Sequence, residues 1–559
     1  VNYNVLIGGA AGQGMDTISN FLEKILKKKG FYVFTNKDYM SRVRGGHNFL
    51  QVRFSDEPIY THTSNVDVIF ALDQNTLDLH MERLSEHGVA IGDDALVSED
   101  SRFKKLPLKK TALELKLSKA LGMVGLGAVI KFFGISLEGV EEIFPKKFAP
   151  QIRETNIQAL NRGYDLIDTK FQLKGGNLED HLLLDGNTAI ALGALAAGVN
   201  FYCGYPMTPA TSVMTYLSKK QVEAGIVVEQ VEDEVAALNM AIGASYAGAK
   251  AMTGSSGGGV SLMVEAFGLA GIMETPVVVV DSQRPGPATG LPTRTEQSDL
   301  SFLLTASHGE FPRAVLSVRN AEDAFYQSFR ALNLATKYQT LVILLTDQYL
   351  ADSKVTVAPY KLDDLTIERG KWVDGPFKEG EEYKRYELTE DGISPMLVPG
   401  KVPGQTVLVD SDEHTDEGHI TESGEVRNSM MEKRMKKQVL MEADIEEPVY
   451  FGVEEPDTVL VGWGSTYGAL KEATDLLNKE GLKVAALSFG DIFPLPKKTL
   501  DKLKGKVKFI NVEQNYNGQL GKFIASETGI LMDGSILKYD GRQINGVELY
   551  ERVKSEVNK

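Results

Sequence analysis

The chain has 559 residues, a net charge of −16, 43% hydrophobic and 24% charged residues. That balance describes a soluble globular protein of several domains, and the acidity argues against nucleic acid or an anionic membrane as partner. Cys203 is the sole cysteine, which excludes a disulfide framework or a cysteine-held metal cluster within this chain and fits a reducing, cytoplasmic compartment.

No apolar run is long enough to cross a bilayer, and Val1–Val5 reads directly as a strand without a signal-peptide pattern. Val5–Ile7 is an apolar strand that meets Gly8-Gly9-Ala10-Ala11-Gly12-Gln13-Gly14, and a helix follows over Asp16–Lys29. Glycine lets a backbone approach a phosphate, and a helix start favours anions. The glycine spacing does not match the nicotinamide fingerprint, and no acidic residue is clearly placed after Val33–Asn36. A tight turn or another phosphate-bearing ligand stays open. Arg42, Arg44 and Gly45-Gly46 offer cations beside a flexible backbone, or a solvated loop. Strands are expected at 49–54 and 66–71, and helices at 121–128 and 156–162. The first domain spans 1–170, with a polar linker over 171–185.

A helix of small residues over 186–198 opens the second domain, 186–360. The apolar run Val199–Cys203 then leads into Tyr205-Pro206-Met207-Thr208-Pro209-Ala210-Thr211 and a helix from Ser212. Two prolines stiffen this turn, and its hydroxyl and N–H groups gather at a helix start. Ile226–Val231 is a strand, and Glu232-Asp233-Glu234 begins the next helix. Another strand ends in Gly254-Ser255-Ser256-Gly257-Gly258-Gly259, which starts a further helix. Strands at 276–281, 313–318 and 341–346 alternate with a long loop, 282–298, and a helix over 321–338. This alternation predicts a doubly wound parallel sheet with its ligands at the carboxyl ends of the strands.

The stretch 361–450 is an irregular connector with one basic amphipathic helix, 429–441. Within it, Asp412–His419 offers oxygen and imidazole groups close together, either a metal site or a solvated acidic loop. The last domain, 451–559, carries strands at 458–462, 484–489 and 507–513 with intervening helices.

Tyr205–Pro209, Glu232–Ala237 and Leu291-Pro292-Thr293-Arg294-Thr295-Glu296-Gln297-Ser298-Asp299-Leu300 resemble signatures of the 2-oxoacid:ferredoxin oxidoreductases. The resemblance covers nearly the whole chain and is most similar to the fused γ–α subunit of the 2-oxoglutarate enzymes. It implies a multidomain α/β fold: a γ-type domain, a thiamine-pyrimidine-type doubly wound sheet and a transketolase C-terminal-like domain. It also implies oxidative decarboxylation of a 2-oxoacid to its acyl-coenzyme A, with reduction of ferredoxin.

By motif match, Glu234 is the carboxylate against the pyrimidine of thiamine diphosphate. An acid in a helix's first turn is the plainer reading, and it fits Glu232 and Asp233 equally. Tyr205, Pro206, Thr208, Ser255 and Ser256 would line the cofactor cleft. Arg284 and Thr208 match the partners of the substrate carboxylate. Arg294 is placed to take the second carboxylate of a dicarboxylic oxoacid. Gly12, Gln13, Gly14 and Arg44 are candidates for coenzyme A. No glycine-aspartate-glycine metal motif is present, so Mg²⁺, the diphosphate and an iron–sulfur cluster are expected on a β subunit, in a dimer of αβ pairs. Pyruvate or a branched-chain substrate, and a nucleotide-binding regulatory role, remain alternatives.

Overall fold

A computed structural model describes residues 1–40, 46–146 and 148–557. The chain forms two compact units, Val1–Leu184 with Asp352–Pro359, and Asp185–Ala351 with Tyr360–Lys559. The first seven strands are β1 (Asn2–Gly9), β2 (Tyr32–Asp38), β3 (Asn48–Ser55), β4 (Val66–Ala71), β5 (Leu84–Asp93), β6 (Phe103–Leu106) and β7 (Leu182–Asp185). Then follow β8 (Phe201–Gly204), β9 (Val227–Gln230), β10 (Ala251–Ser255), β11 (Val277–Gln283), β12 (Arg313–Ser317), β13 (Leu341–Asp347) and β14 (Lys354–Val357). The last six are β15 (Val449–Gly452), β16 (Thr458–Trp463), β17 (Val484–Phe489), β18 (Asp491–Phe493), β19 (Lys508–Glu513) and β20 (Gly534–Leu537).

The first unit is built on one sheet in the order β6-β5-β4-β1-β3-β2-β14-β7. β1, β4, β5 and β6 run parallel, and β3 and β2 are antiparallel to their neighbours. Its edge differs from the sequence reading. Residues 352–359, expected in the second domain, return here, and β14 pairs antiparallel with β2. A buried Glu23 holds Lys354 at 3.1 Å in support of that pairing. Without β14, β2 would present an unpaired edge. The segment 171–185, expected as a linker, packs on the same unit. Phe171 meets Tyr3 at a ring separation of 4.8 Å, and Gly176 N–H donates to Gly30 O. Phe171, Leu173 and Leu183, spaced among polar residues, pack against the core of this unit.

The second unit carries two sheets. The larger has the order β18-β12-β13-β11-β10-β8-β9, parallel except for β18. The smaller, β15-β17-β16-β19-β20, is parallel except for β15. From β8 the chain steps outward to β9, then back across to β10. The direction of winding therefore reverses between β8 and β10, and a crevice opens at their carboxyl ends. Valines 277–280 are completely or almost completely buried, as a central parallel strand requires.

The connector is irregular, as expected, but its helix is longer, Gly424–Met441, and starts at a Ser423 cap. Its basic face is not solvated. Lys433, Arg434 and Lys437 are buried. Lys433 donates to Glu274, and Lys437 Nζ stands 3.0 Å from Glu274 Oε1 as an ion pair rather than an aligned hydrogen bond. Burial opposes every one of these charges. It prevails on Lys437, which is pushed down to about 7, and loses on Glu274, which faces Lys437, Lys433 and Arg385 and is held far below the usual range. Arg434 in turn binds Glu413 through both terminal nitrogens, and His414 is buried with its ring 3.9 Å from that of Tyr386. Within the run 412–419, Glu413 and His414 are thus committed to packing, while Asp412 and His419 are exposed. Among the described residues no three His, Cys, Asp or Glu side chains converge to hold an ion.

Removing Glu274 leaves two buried ammonium groups unpaired. Glu274→Ala is expected to lower stability by about 3–5 kcal/mol, read from denaturant unfolding, with Glu274→Gln intermediate.

Candidate active site

β8 ends at Gly204, and the turn 205–210 carries the chain into the helix Thr211–Ala224. Fully buried Asn187 fixes that turn by donating to Pro209 O (2.9 Å) and to Ser212 Oγ (2.7 Å). Tyr205 and Thr208 are exposed at its rim. Arg284, just past β11, donates from Nη1 to Thr208 O at 2.8 Å. The contact is to the backbone carbonyl of Thr208, whereas the sequence reading stressed its hydroxyl. Partial burial pushes the Arg284 guanidinium down from its ordinary value.

Asp233 caps the helix Glu234–Tyr246, accepting from Ala236 N at 2.7 Å, and stays partly exposed. Glu234 is the next residue and only 4% exposed. The cap therefore separates the acids that sequence could not: Asp233 serves the helix, and Glu234 turns inward. Glu234 Oε1 has no hydrogen-bond partner within the protein. Its carboxyl lies against Gly259, in the first turn of the helix Gly257–Ile272. A Cβ at Gly259 would stand 2.7 Å from Glu234 Oε1 and 2.1 Å from Ser255 Oγ. Only glycine allows both groups to crowd that point. Ser255 Oγ reaches Met207 Sδ at 3.6 Å. Ser256 is the cap residue of the same helix, yet its buried hydroxyl makes no cap bond and has no partner.

The structure thus brings Glu234, Ser255, Met207, Thr208 and Arg284 to the carboxyl ends of β8, β10 and β11. Two helix starts, positive in their partial charge, meet at the Glu234 carboxylate. Arg294 lies elsewhere on the motif loop, its Cβ and Cγ packed on Gly541 beyond β20.

Sequence reasoning missed a buried acid pair. Asp281 is fully buried at the end of β11, facing Asp299. Neither Asp281 oxygen accepts from an N–H or hydroxyl group. Two such carboxyl groups face one another only with a proton between them, so burial and the second acid push Asp281 well up, and burial raises Asp299 too. The signal available was an acid closing a run of four valines.

In the first unit, Gly12 and Gly14 adopt positive φ, and Gly14 precedes the helix Met15–Lys28. Gln13 folds back, its Oε1 accepting from Ala10 N at 2.7 Å and its Nε2 donating to Leu72 O. Arg44 lies outside the described residues. Beside this turn, where Gly9 pairs with Asn48, His47 and His80 meet at 2.8 Å through their Nε2 atoms, and Arg83 Nη1 lies 3.1 Å from His80 Nδ1. Burial and Arg83 push His80 down to about 4, so the pair is neutral at pH 7.

Three family models match the chain in sequence. Residues 4–166 match pyruvate ferredoxin/flavodoxin oxidoreductase, 192–433 its thiamine diphosphate-binding part, and 456–548 pyruvate:ferredoxin oxidoreductase core domain II. The chain belongs to the 2-oxoacid:ferredoxin oxidoreductases. It is similar to an alpha subunit of that enzyme from Sulfolobus sp., at 35% identity covering 98% of this chain and 95% of the relative. The 2-oxoglutarate synthase subunit KorA of Archaeoglobus fulgidus is 32% identical, over 67% of this chain and 99% of its own. Among solved structures, the 2-oxoglutarate:ferredoxin oxidoreductase of Magnetococcus marinus, with 2-oxoglutarate, coenzyme A and succinyl-CoA bound, has a TM-score of 0.92 at 34% identity, covering 100% of this chain and 99% of that one. The particular member is an alpha subunit of this enzyme class, of mixed α/β fold.

The shared proton has a measurable signature. The folded-state pKa of Asp281 lies above its unfolded value, so stability is greatest at low pH and falls as pH rises from the ordinary carboxylate range through the raised value. In thermal unfolding across pH, Asp281→Asn is expected to show a flatter decline than the wild type.

Proposed function

We propose that this subunit serves the oxidative decarboxylation of 2-oxoglutarate to its acyl-coenzyme A, with Glu234 holding the pyrimidine end of thiamine diphosphate. The observation that carries the reading is the orphaned, buried Glu234 Oε1 at the floor of the β8–β10 crevice. A buried acceptor without a donor is costly, and a protonated ring nitrogen would satisfy it. Bound there, the cofactor would supply a nucleophilic carbon and an electron sink for decarboxylation.

The residues of this chain do the rest. Glu234 keeps a proton at the ring nitrogen and fixes the ring's orientation. Ser255 and Met207 close the wall beside it, and Tyr205, Pro206 and Ser256 complete the lining. Arg284, braced on the Thr208 carbonyl, is placed for the substrate's 1-carboxylate, with Thr208 as its polar neighbour. We assign the distal carboxylate to Arg294 on its place in the sequence motif, since the structure sets it against Gly541 rather than beside Glu234 or Arg284. We assign the diphosphate and Mg²⁺, with the iron–sulfur cluster that would pass electrons to ferredoxin, to a β subunit in a dimer of αβ pairs, because the sequence carries no glycine-aspartate-glycine motif and a single cysteine. Coenzyme A would accept the acyl group; Gly12, Gln13 and Gly14, with Arg44 from the sequence alone, are the first-unit candidates to hold it. We place the assembly in the cytoplasm. No helix among the described residues is long and apolar enough to cross a membrane.

Two measurements on the αβ assembly test this. Glu234→Gln is expected to cut turnover by about a thousandfold or more while size-exclusion shows intact assembly; unchanged oxidation would remove the mechanism. Arg294→Ala is expected to lower kcat/KM for 2-oxoglutarate by about tenfold to a hundredfold and for pyruvate by less than about twofold. Equal losses would remove the specificity role.

A further inference from the structure

The motif loop alternates in burial. Thr293, Thr295 and Gln297 are buried, whereas Arg294, Glu296 and Ser298 are only partly so. The chain turns at 292–294, where Arg294 N donates to Leu291 O at 3.1 Å, and then runs without regular structure over a buried surface. That surface is the C-terminal β15–β20 region. Thr295 N donates to Gly541 O at 3.0 Å and Gln297 N to Gln514 O at 2.7 Å. Gln514 N returns a bond to Gln297 Oε1, Asn515 Nδ2 binds Gln297 O, and Gln297 Nε2 reaches Trp463 O.

A second layer lies beneath. Asp347, at the end of β13, accepts from Ser465, from Leu350 N at 3.0 Å and from the Thr295 hydroxyl. Ser465 also bonds Gln543, and Gln543 bonds Gln514. The loop is therefore stitched at Thr295 and Gln297, on either side of Glu296, into a closed network of buried polar groups. Such a network holds one arrangement because any slip leaves buried groups unpaired. Arg294 directly precedes the tied Thr295 and follows the buried Thr293. Its own Cβ is where a Cβ at Gly541 would lie 3.0 Å away, and Gly541 has φ +79, so this position rejects side chains on both counts.

We propose that the C-terminal α/β region sets the pose of Arg294 and thereby selects a dicarboxylic over a monocarboxylic 2-oxoacid, with Gly541 and Thr295 as positioning residues. This rests on the reading of Arg294 as the partner of the distal carboxylate. Neither positioning residue touches the substrate. They act by holding the guanidinium where two parallel hydrogen bonds are possible.

The test uses the reconstituted αβ assembly with Gly541→Ala, Thr295→Val and, as the reference, Arg294→Ala. Steady-state kinetics and calorimetric binding are measured for 2-oxoglutarate and for pyruvate. Both positioning variants are expected to raise KM and Kd for 2-oxoglutarate about five- to tenfold, with kcat within about twofold and pyruvate kinetics unchanged. Thr295→Val is near-isosteric and keeps the proposal testable if Gly541→Ala fails to assemble. A merely structural role would lower both substrates together or reduce the active fraction. If Arg294→Ala discriminates between the substrates and neither positioning variant does, the inference fails and the Arg294 reading stands. If Arg294→Ala itself does not discriminate, both fall.

Discussion

Glu234 sits at the start of one helix and against the start of another, with an oxygen that nothing in the protein satisfies. A buried carboxylate in that state is expensive. Two positive helix ends offset part of the cost, and under the function we propose a ligand recovers the rest. Much of the second unit follows from meeting this constraint. Asp233 must take the capping role so that Glu234 is free to turn inward. Gly259 must lack a side chain so that the carboxyl and Ser255 fit together. The winding must reverse between β8 and β10 so that both helix starts border one crevice.

Around that point the polar groups divide by task. Asn187 and Arg284 bond carbonyls of the turn 205–210, making its backbone a rigid rim. Asp281 and Asp299 face one another in burial that pushes both up from the ordinary carboxylate range. The glutamine-rich network around Asp347 ties the motif loop to the smaller sheet. Within the network around Asp347, where the partners are buried, a displacement of one group carries a cost at its neighbours. The site is stiff on the side formed by this chain, which suits a crevice whose other wall we assign to a separate polypeptide.

The connector illustrates how charge is used away from the site. Its helix is basic in sequence, yet the cations turn inward to Glu274 and Glu413. The acids and bases that look like a solvated stretch form internal pairs, which set where the irregular chain docks. Such pairs specify an arrangement more than they add stability, because burial opposes each charge.

The alternation of strands and helices, the strand-to-helix turn at 205–211 and the membership of the family were legible in the sequence, because period, proline and glycine placement and hydroxyl clusters are local properties. So was the short list of acids at 232–234, though not which of them is buried; the cap geometry decided that. The exchange of residues 352–359 back to the first sheet was not legible, since a four-residue strand carries no sign of its distant partner. Nor were the Asp281–Asp299 pair, separated by a long loop, and the contact of Arg294 with Gly541, which are far apart in the chain. Local chemistry named the parts of the crevice. Long-range packing alone chose which side chains lose their water, and that loss is what turns an ordinary acid at a helix start into a group in need of a partner.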